Sequence, residues 1–128
     1  MSLKSPLGRV LGLGSAKDGT ATWWAARLTS MALVPLSLWV LVALCRVPLL
    51  DYDTAVALIR LPANAVAFAL FVLVAGYHSM HGLHEVIEDY VHVPGAKVAA
   101  LVGIDFVHVV AVAAGLYAVL KVSFGGVL

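Results

Sequence analysis

Three long stretches of the chain are almost free of charged side chains, and they restrict its fold more than any other feature. Residues 28–45 and residues 61–84 contain no Asp, Glu, Lys or Arg. Residues 98–120 contain one such residue, Asp105. The hydrocarbon core of a bilayer is about 30 Å thick, so a spanning helix needs about 20 mainly apolar residues. Each stretch is long enough, and the sequence therefore predicts three transmembrane helices.

The composition excludes a soluble globular domain. Hydrophobic residues make up 62% of the 128-residue chain and charged residues only 12%, against about half and about a quarter in ordinary soluble domains. We expect an all-α membrane protein of one domain, residues 1–128, with a polar arm at 1–22 and helices at about 23–48, 61–88 and 98–122. Three helices can hardly enclose a large cofactor alone, so we expect a companion anchor protein to complete the bundle. The single Cys45 is expected to be a small buried apolar residue.

The charges predict an orientation and a partner. The net charge of +1 gives no basic surface for nucleic acid, so the expected partner is the bilayer. Five cations flank one side of the predicted spans and three flank the other, and the more basic side is usually cytoplasmic. This bias predicts a cytoplasmic N-terminus and an external C-terminus. The five are Lys4, Arg9, Lys17, Arg27 and Lys97, and the three are Arg46, Arg60 and Lys121.

Polar side chains crowd the end of the second predicted span, and ionisable groups within a span are functional candidates. At 100° per residue, His78, Gly82 and Asp89 share nearly one helix face. A rise of 1.5 Å per residue puts His78 roughly 16 Å inside the Asp89 end, near the middle of the bilayer. The cluster consists of Tyr77, His78, His81, His84, Glu85, Glu88, Asp89, Tyr90 and His92.

A histidine at the middle of a bilayer has three interpretations. His78 can be hydrogen-bonded to a neighbouring helix, can relay protons, or can be an axial ligand of haem iron. Gly82, one turn along, would leave space for a porphyrin. Spacing alone leaves all three open, and we expect His81 and His84, which lie closer to the interface, to reach towards the headgroups.

Two further polar features lie in the other spans. Arg27 can reach the headgroups with its long side chain or pair with a buried anion. Asp105 and His108 are three residues apart on one helix and are therefore neighbours. They can satisfy one another or bind a partner helix.

The second span carries a pattern that resembles a known family. Residues 78–92 read HSMHGLHEVIEDYVH, with a glycine four residues after His78 and an Asp-Tyr pair at eleven and twelve. This resembles the signature of the small hydrophobic membrane-anchor subunit of succinate dehydrogenase (succinate:quinone oxidoreductase, complex II). The entry to the first helix, WWAARLT at residues 23–29, and the ending LKVSFGG at residues 120–126 are also similar to members of that family.

The resemblance implies a role for four residues. His78 matches the axial ligand of a b-type haem whose second ligand belongs to the companion cytochrome b subunit, and Arg27 matches an arginine near the haem propionates. Tyr90 matches the tyrosine that hydrogen-bonds a ubiquinone carbonyl, and Asp89 matches the neighbouring residue that helps to organise that site and its protons.

The resemblance also implies a setting. The chain would be a subunit without flavin of a respiratory enzyme of the tricarboxylic acid cycle, in the bacterial inner membrane with its C-terminus in the periplasm. Its partners would be a flavoprotein, an iron–sulfur protein and the companion cytochrome b subunit.

The sequence is also compatible with two rival hypotheses. The chain can be a non-redox transport or structural subunit that uses Asp105, His108 and His78 as a proton path. It can also be a self-contained cytochrome b in which His78 and His108 supply both haem ligands.

Overall fold

The computed structural model describes residues 19–47 and 51–125, and helices account for nearly all of these residues. The helices are α1 (Gly19–Cys45), α2 (Tyr52–Arg60), α3 (Pro62–Tyr90) and α4 (Pro94–Ser123). Within the described ranges, α1, α3 and α4 are long and apolar enough to cross a membrane. The predicted all-α membrane fold with three spans is therefore confirmed.

Prolines mark where two of the spanning helices begin. Pro62 and Pro94 are the first residues of α3 and α4, a position where the missing amide hydrogen would have no intrahelical partner in any case. The three-residue connection between Tyr90 and Pro94 makes α3 and α4 antiparallel neighbours. Pro35 lies inside α1, which continues through it, as membrane helices can.

Helix α2 was not expected, because it lies between the first two predicted spans, residues 23–48 and 61–88, where no helix was predicted. The Asp51 side chain caps α2 by accepting hydrogen bonds from Thr54 N at 3.3 Å and Thr54 Oγ1 at 3.2 Å. Arg60 lies in the last turn, where a cation offsets the negative end of the helix dipole. A helix of nine residues is not found by looking for apolar stretches of about 20 residues. Asp51 as an N-cap and Arg60 near the C-terminus were nevertheless sequence signals for a short helix.

Helix α3 is the centre of the bundle. It packs against α1 on one side and α4 on the other, whereas α1 and α4 share almost no contacts over the described residues. Glycines bring α3 and α4 close together: a Cβ at Gly115 would lie 2.9 Å from Val72 Cγ1, and a Cβ at Gly76 would overlap Val112 Cγ2. Small residues permit this close packing, which replaces the hydrophobic effect as a driving force between helices in lipid.

The chain has almost no interior of its own. Within the described residues, only Ala43, Val47, Ile87 and Val119 are buried. Most apolar side chains of the spans therefore face outward, towards lipid or another protein. Cys45 is exposed, so the expectation that it is buried is wrong for this chain by itself.

The helix boundaries differ from the predicted ones by a few residues. The arm was expected to extend to residue 22, but α1 already begins at Gly19. Helix α3 continues to Tyr90 rather than to residue 88, and α4 begins at Pro94 rather than at residue 98. The rest of the arm, residues 1–18, and the predicted end of the first span at Pro48 lie outside the described residues.

Candidate functional site

The candidate site is built around a hydrogen bond between the first and third helices. Thr29 Oγ1 of α1 lies 2.8 Å from His78 Nδ1 of α3. At 1.5 Å per residue, His78 is roughly 18 Å from Tyr90 along α3. Both partners of the hydrogen bond are half-buried. His78 is therefore hydrogen-bonded to a neighbouring helix through Nδ1, and its second ring nitrogen, Nε2, leaves the relay and haem-ligand interpretations open.

The hydrogen-bond pattern assigns the proton on the His78 ring. Thr29 Oγ1 also lies 2.7 Å from the Ala25 carbonyl and 3.1 Å from the Ala26 carbonyl. Carbonyl oxygens only accept, so the single hydroxyl proton is directed to them, and Oγ1 then accepts from His78 Nδ1–H. The lone pair of a neutral His78 ring is consequently on Nε2, which has no hydrogen-bond partner among the described residues.

The two other histidines within α3, His81 and His84, have contacts of their own. The His81 ring packs edge-on against Tyr77 with centroids 4.3 Å apart, and His81 Nε2 is buried without a partner among the described residues. His84 Nε2 donates to Asp105 Oδ1 at 2.8 Å. Both rings were expected to reach towards the headgroups, but in the structure each is held by contacts within the chain. At Gly82, by contrast, a Cβ would meet no heavy atom within 4 Å, so the face of α3 shared with His78 has open space there.

Arg27 lines a pocket next to the Thr29–His78 pair. The pocket has a volume of about 450 Å³ and lies between α1 and α3, with Glu85 as its α3 residue. The guanidinium lies 4.7 Å from the centre of the Trp23 ring, close enough for a cation–π contact. Over the described ranges, Arg27 forms no ion pair with a carboxylate, and the Glu85 carboxylate lines the same pocket.

Asp89 and Tyr90 form the end of α3. Tyr90 is 79% exposed, and the side chains of both residues are without hydrogen bonds to other described residues. The backbone around them is held in place: Lys97 Nζ donates to Glu88 O at 2.7 Å, and His92 Nδ1 donates to Tyr90 O at 2.9 Å. A phenol and a carboxylate are therefore presented together at a fixed helix end.

The polar residues of the third span bind α3 rather than each other. Asp105 accepts from His84, and His108 Nδ1 donates to the Ile104 carbonyl at 2.9 Å. His108 Nε2 lies 2.9 Å from Ser79 Oγ and accepts its proton when the ring is neutral. The alternative in which Asp105 and His108 satisfy one another is wrong, and the alternative of binding a partner helix is confirmed.

Sequence reasoning missed the partners of these groups. Thr29 and Ser79 were quoted only as members of family-like stretches and not as hydrogen-bond partners, although a hydroxyl in an otherwise apolar span is a signal for an interhelical hydrogen bond. Among the described residues, no group of three or more His, Cys, Asp or Glu side chains could hold a metal ion. A metal at His78 would therefore need a ligand from outside the described residues.

Comparison with known proteins places the chain in a family. The family described as succinate dehydrogenase/fumarate reductase transmembrane subunit matches residues 1–116. The chain belongs to this family. The resemblance based on residues 78–92 is thereby confirmed, and so is the membrane-anchor character of the chain.

Individual members of the transmembrane-subunit family support the same placement. The chain is 31% identical over 117 residues to the succinate dehydrogenase hydrophobic membrane anchor subunit of Paracoccus denitrificans. The aligned residues cover 91% of this chain and 90% of the Paracoccus protein. It is 28% identical over 106 residues to the protein of the same name from Rickettsia bellii (strain RML369-C), covering 83% and 85% of the two chains. No solved structure matches the chain.

Proposed function

We propose that this membrane anchor of succinate dehydrogenase supplies one axial ligand of a haem b and part of a ubiquinone-reduction site. The observation that carries the proposal is the Thr29–His78 hydrogen bond. Histidines that bind metals commonly donate their other ring N–H to a neighbouring oxygen, which fixes the ring and its tautomer. Thr29 provides that oxygen.

The surroundings of His78 fit a haem. Nε2 carries the lone pair, and open space at Gly82 on the same helix face would admit a flat macrocycle. Arg27 in the neighbouring pocket offers a cation for a propionate. His81 is the weaker candidate because its Nε2 is enclosed by the chain's own atoms. When bound, haem would supply a one-electron redox centre.

Tyr90 and Asp89 suit the quinone side of the reaction. Reduction of ubiquinone to ubiquinol takes up two electrons and two protons. The Tyr90 hydroxyl can donate a hydrogen bond to a quinone carbonyl while its ring packs against the apolar tail. The adjacent Asp89 carboxylate can accept a proton from water and pass it on. Both side chains are exposed, as a site for a diffusing substrate requires.

The proposal needs partners. The second haem ligand would come from the companion cytochrome b subunit, and electrons from a flavoprotein through an iron–sulfur protein at the Tyr90 end. That end would face the cytoplasm of a bacterium, with the N-terminus inside and the C-terminus in the periplasm. The outward-facing apolar surface of the spans is consistent with a companion anchor protein.

The two rival hypotheses receive less support. Both ring nitrogens of His108 are engaged, by Ile104 O and Ser79 Oγ, so His108 is poorly suited as a second haem ligand. His78 faces α1 whereas His108 and Asp105 face α3 from the other side, so these three residues do not line one path.

The test compares tyrosines at opposite ends of the bundle in the assembled complex. We expect Tyr90→Phe to lower succinate-driven ubiquinone reduction strongly while succinate oxidation with an artificial electron acceptor is unchanged. Tyr52→Phe is the matched control, since Tyr52 is 76% exposed and Tyr90 79% exposed. Equal quinone reduction in both variants would contradict the Tyr90 assignment.

The haem assignment is tested separately. We expect His78→Ala to remove or shift the b-type haem signal in a reduced-minus-oxidised spectrum, and His81→Ala to leave it in place. The opposite result would transfer the ligand role to His81.

A further inference from the structure

We propose that the chain binds an anionic phospholipid at the end of the bundle formed by α2, the start of α3 and the end of α4. The phosphate would lie between Arg60 and Lys121, with an acyl chain along α3 and α4. This end is opposite to Tyr90 on α3, so the inference does not depend on the haem or quinone assignments.

Two pockets meet at Arg60. The first has a volume of about 390 Å³, lies between α2 and the end of α4, and is lined by Arg60, Lys121 and the rings of Tyr52 and Tyr117. The second has a volume of about 280 Å³ and runs between the start of α3 and the end of α4. Arg60 lines both pockets, so the two lie next to each other, and the proposed lipid would place its charged head in the first and its apolar tail in the second.

The first pocket has an excess of positive charge. Arg60 Nε donates a long hydrogen bond of 3.5 Å to Val122 O, which leaves the terminal guanidinium nitrogens for a ligand. Lys121 Nζ lies 5.7 Å from the Tyr117 ring centre. Across residues 19–47 and 51–125, neither cation is paired with a carboxylate. Two such cations attract the phosphate of an anionic headgroup at a membrane surface.

The second pocket distinguishes a lipid from a simple helix-end effect. A cation near the end of α4 also offsets the helix dipole. That effect is enough to explain why a lysine occurs at position 121, but it does not explain the neighbouring groove. The groove walls are small or apolar, with Ala65 and Ala69 leaving room on α3 and Leu120 and Phe124 facing them from α4. A free phosphate would use only the charged pocket, whereas a phospholipid would use both.

The experiment uses the intact complex, delipidated in mild detergent and titrated with phosphatidylglycerol or phosphatidylcholine of identical chains, with bound lipid counted by native mass spectrometry. We expect preferential retention of phosphatidylglycerol. Arg60→Gln and Lys121→Gln should each weaken phosphatidylglycerol binding about five-fold, because one cation near the membrane surface usually contributes about 1 kcal/mol to the attraction. Arg46→Gln is the matched control, because it removes the same charge at the same end of the bundle but lies outside both pockets.

Further arms identify the ligand. Ala69→Phe, which fills the groove, should weaken phosphatidylglycerol binding, while inorganic phosphate should displace the lipid only poorly. Equal loss in Arg60→Gln and Arg46→Gln, equal binding of the two lipids, or efficient displacement by phosphate would overturn the proposal. So would carbodiimide cross-linking of Lys121 to another protein of the complex, since that result would make this face a protein interface. None of these readouts depends on quinone reduction or on haem, so failure here is separate from failure of the proposed function.

Discussion

Gly76 of α3 packs directly against Val112 of α4, so closely that even a methyl group at Gly76 would overlap the Val112 side chain. The same arrangement recurs in reverse at Val72 and Gly115, where the valine belongs to α3 and the glycine to α4. The two helices therefore interlock at two levels. Their relative position is set by side-chain size rather than by burial of apolar surface from water.

This packing predicts that Gly76→Ala destabilises the assembled complex. Overpacking a tight contact typically costs about 1–3 kcal/mol, which would appear as a lower thermal unfolding temperature. Val112→Ala removes the overlapping methyl groups, so the double variant should regain much of the loss. Gly103→Ala is the control, since a Cβ there would meet nothing within 4 Å. Equal destabilisation by both glycine variants would argue against the contact.

Thr29→Val should disturb the haem while preserving side-chain volume. The substitution removes the oxygen that holds His78 Nδ1, and loss of such a supporting partner typically lowers metal affinity or activity about 10- to 100-fold. The measurement is haem content per complex and the haem reduction potential. Ser37→Ala, which removes an exposed hydroxyl from the same helix, should change neither. An unaltered haem in Thr29→Val would contradict a supporting role for Thr29, whereas the ligand itself is decided by His78→Ala and His81→Ala.

The sequence predicted the three spans well because apolar length is a local property that can be read along the chain. The short helix α2 escaped because its nine residues are amphipathic and bounded by Asp51 and Arg60, so hydropathy does not mark it. Its detection requires attention to the cap instead.

The sequence predicted candidate residues for the site but not the hydrogen-bond partners that hold them. His78, Arg27, Asp89 and Tyr90 were chosen by pattern, but nothing in a single sequence connects Thr29 to a histidine 49 positions away. Asp105 and His108 are neighbours on one helix, and the sequence alone left open whether they satisfy one another or bind a partner helix. In the structure each finds a better partner on α3, since polar groups in a span are satisfied by whichever helix packs against them.

The Asp105–His84 contact is expected to couple α3 to α4 energetically. Interhelical hydrogen bonds in membranes average about 0.6 kcal/mol and reach about 1.7 kcal/mol in double-mutant cycles. Thermal unfolding of Asp105→Asn, His84→Gln and the double variant should give a coupling energy within this range. Additive effects of the two substitutions would mean that the 2.8 Å contact contributes no net stability.

Lys97 is expected to influence quinone reduction without touching the quinone. Its ammonium group binds the Glu88 carbonyl at 2.7 Å and thereby fixes the helix end that carries Asp89 and Tyr90. A cation at this position is worth about 0.3–1 kcal/mol, so Lys97→Met should raise the KM for ubiquinone about two- to five-fold. Lys97→Arg retains a donor and should restore most of the loss. If Lys97→Met left the KM unchanged while reducing only complex yield, Lys97 would have a purely structural role.

The central position of α3 has a consequence for the order in which the protein is made. Chains are synthesised from the N-terminus, and early segments can associate before later ones emerge. Thr29, Arg27 and His78 all belong to the first pair of spanning helices, and their contacts need nothing from α4. Thr29 and the proposed ligand His78 can thus meet while α4 is still in the ribosome, so this half of the proposed site would be ready for the companion subunit before the chain is complete.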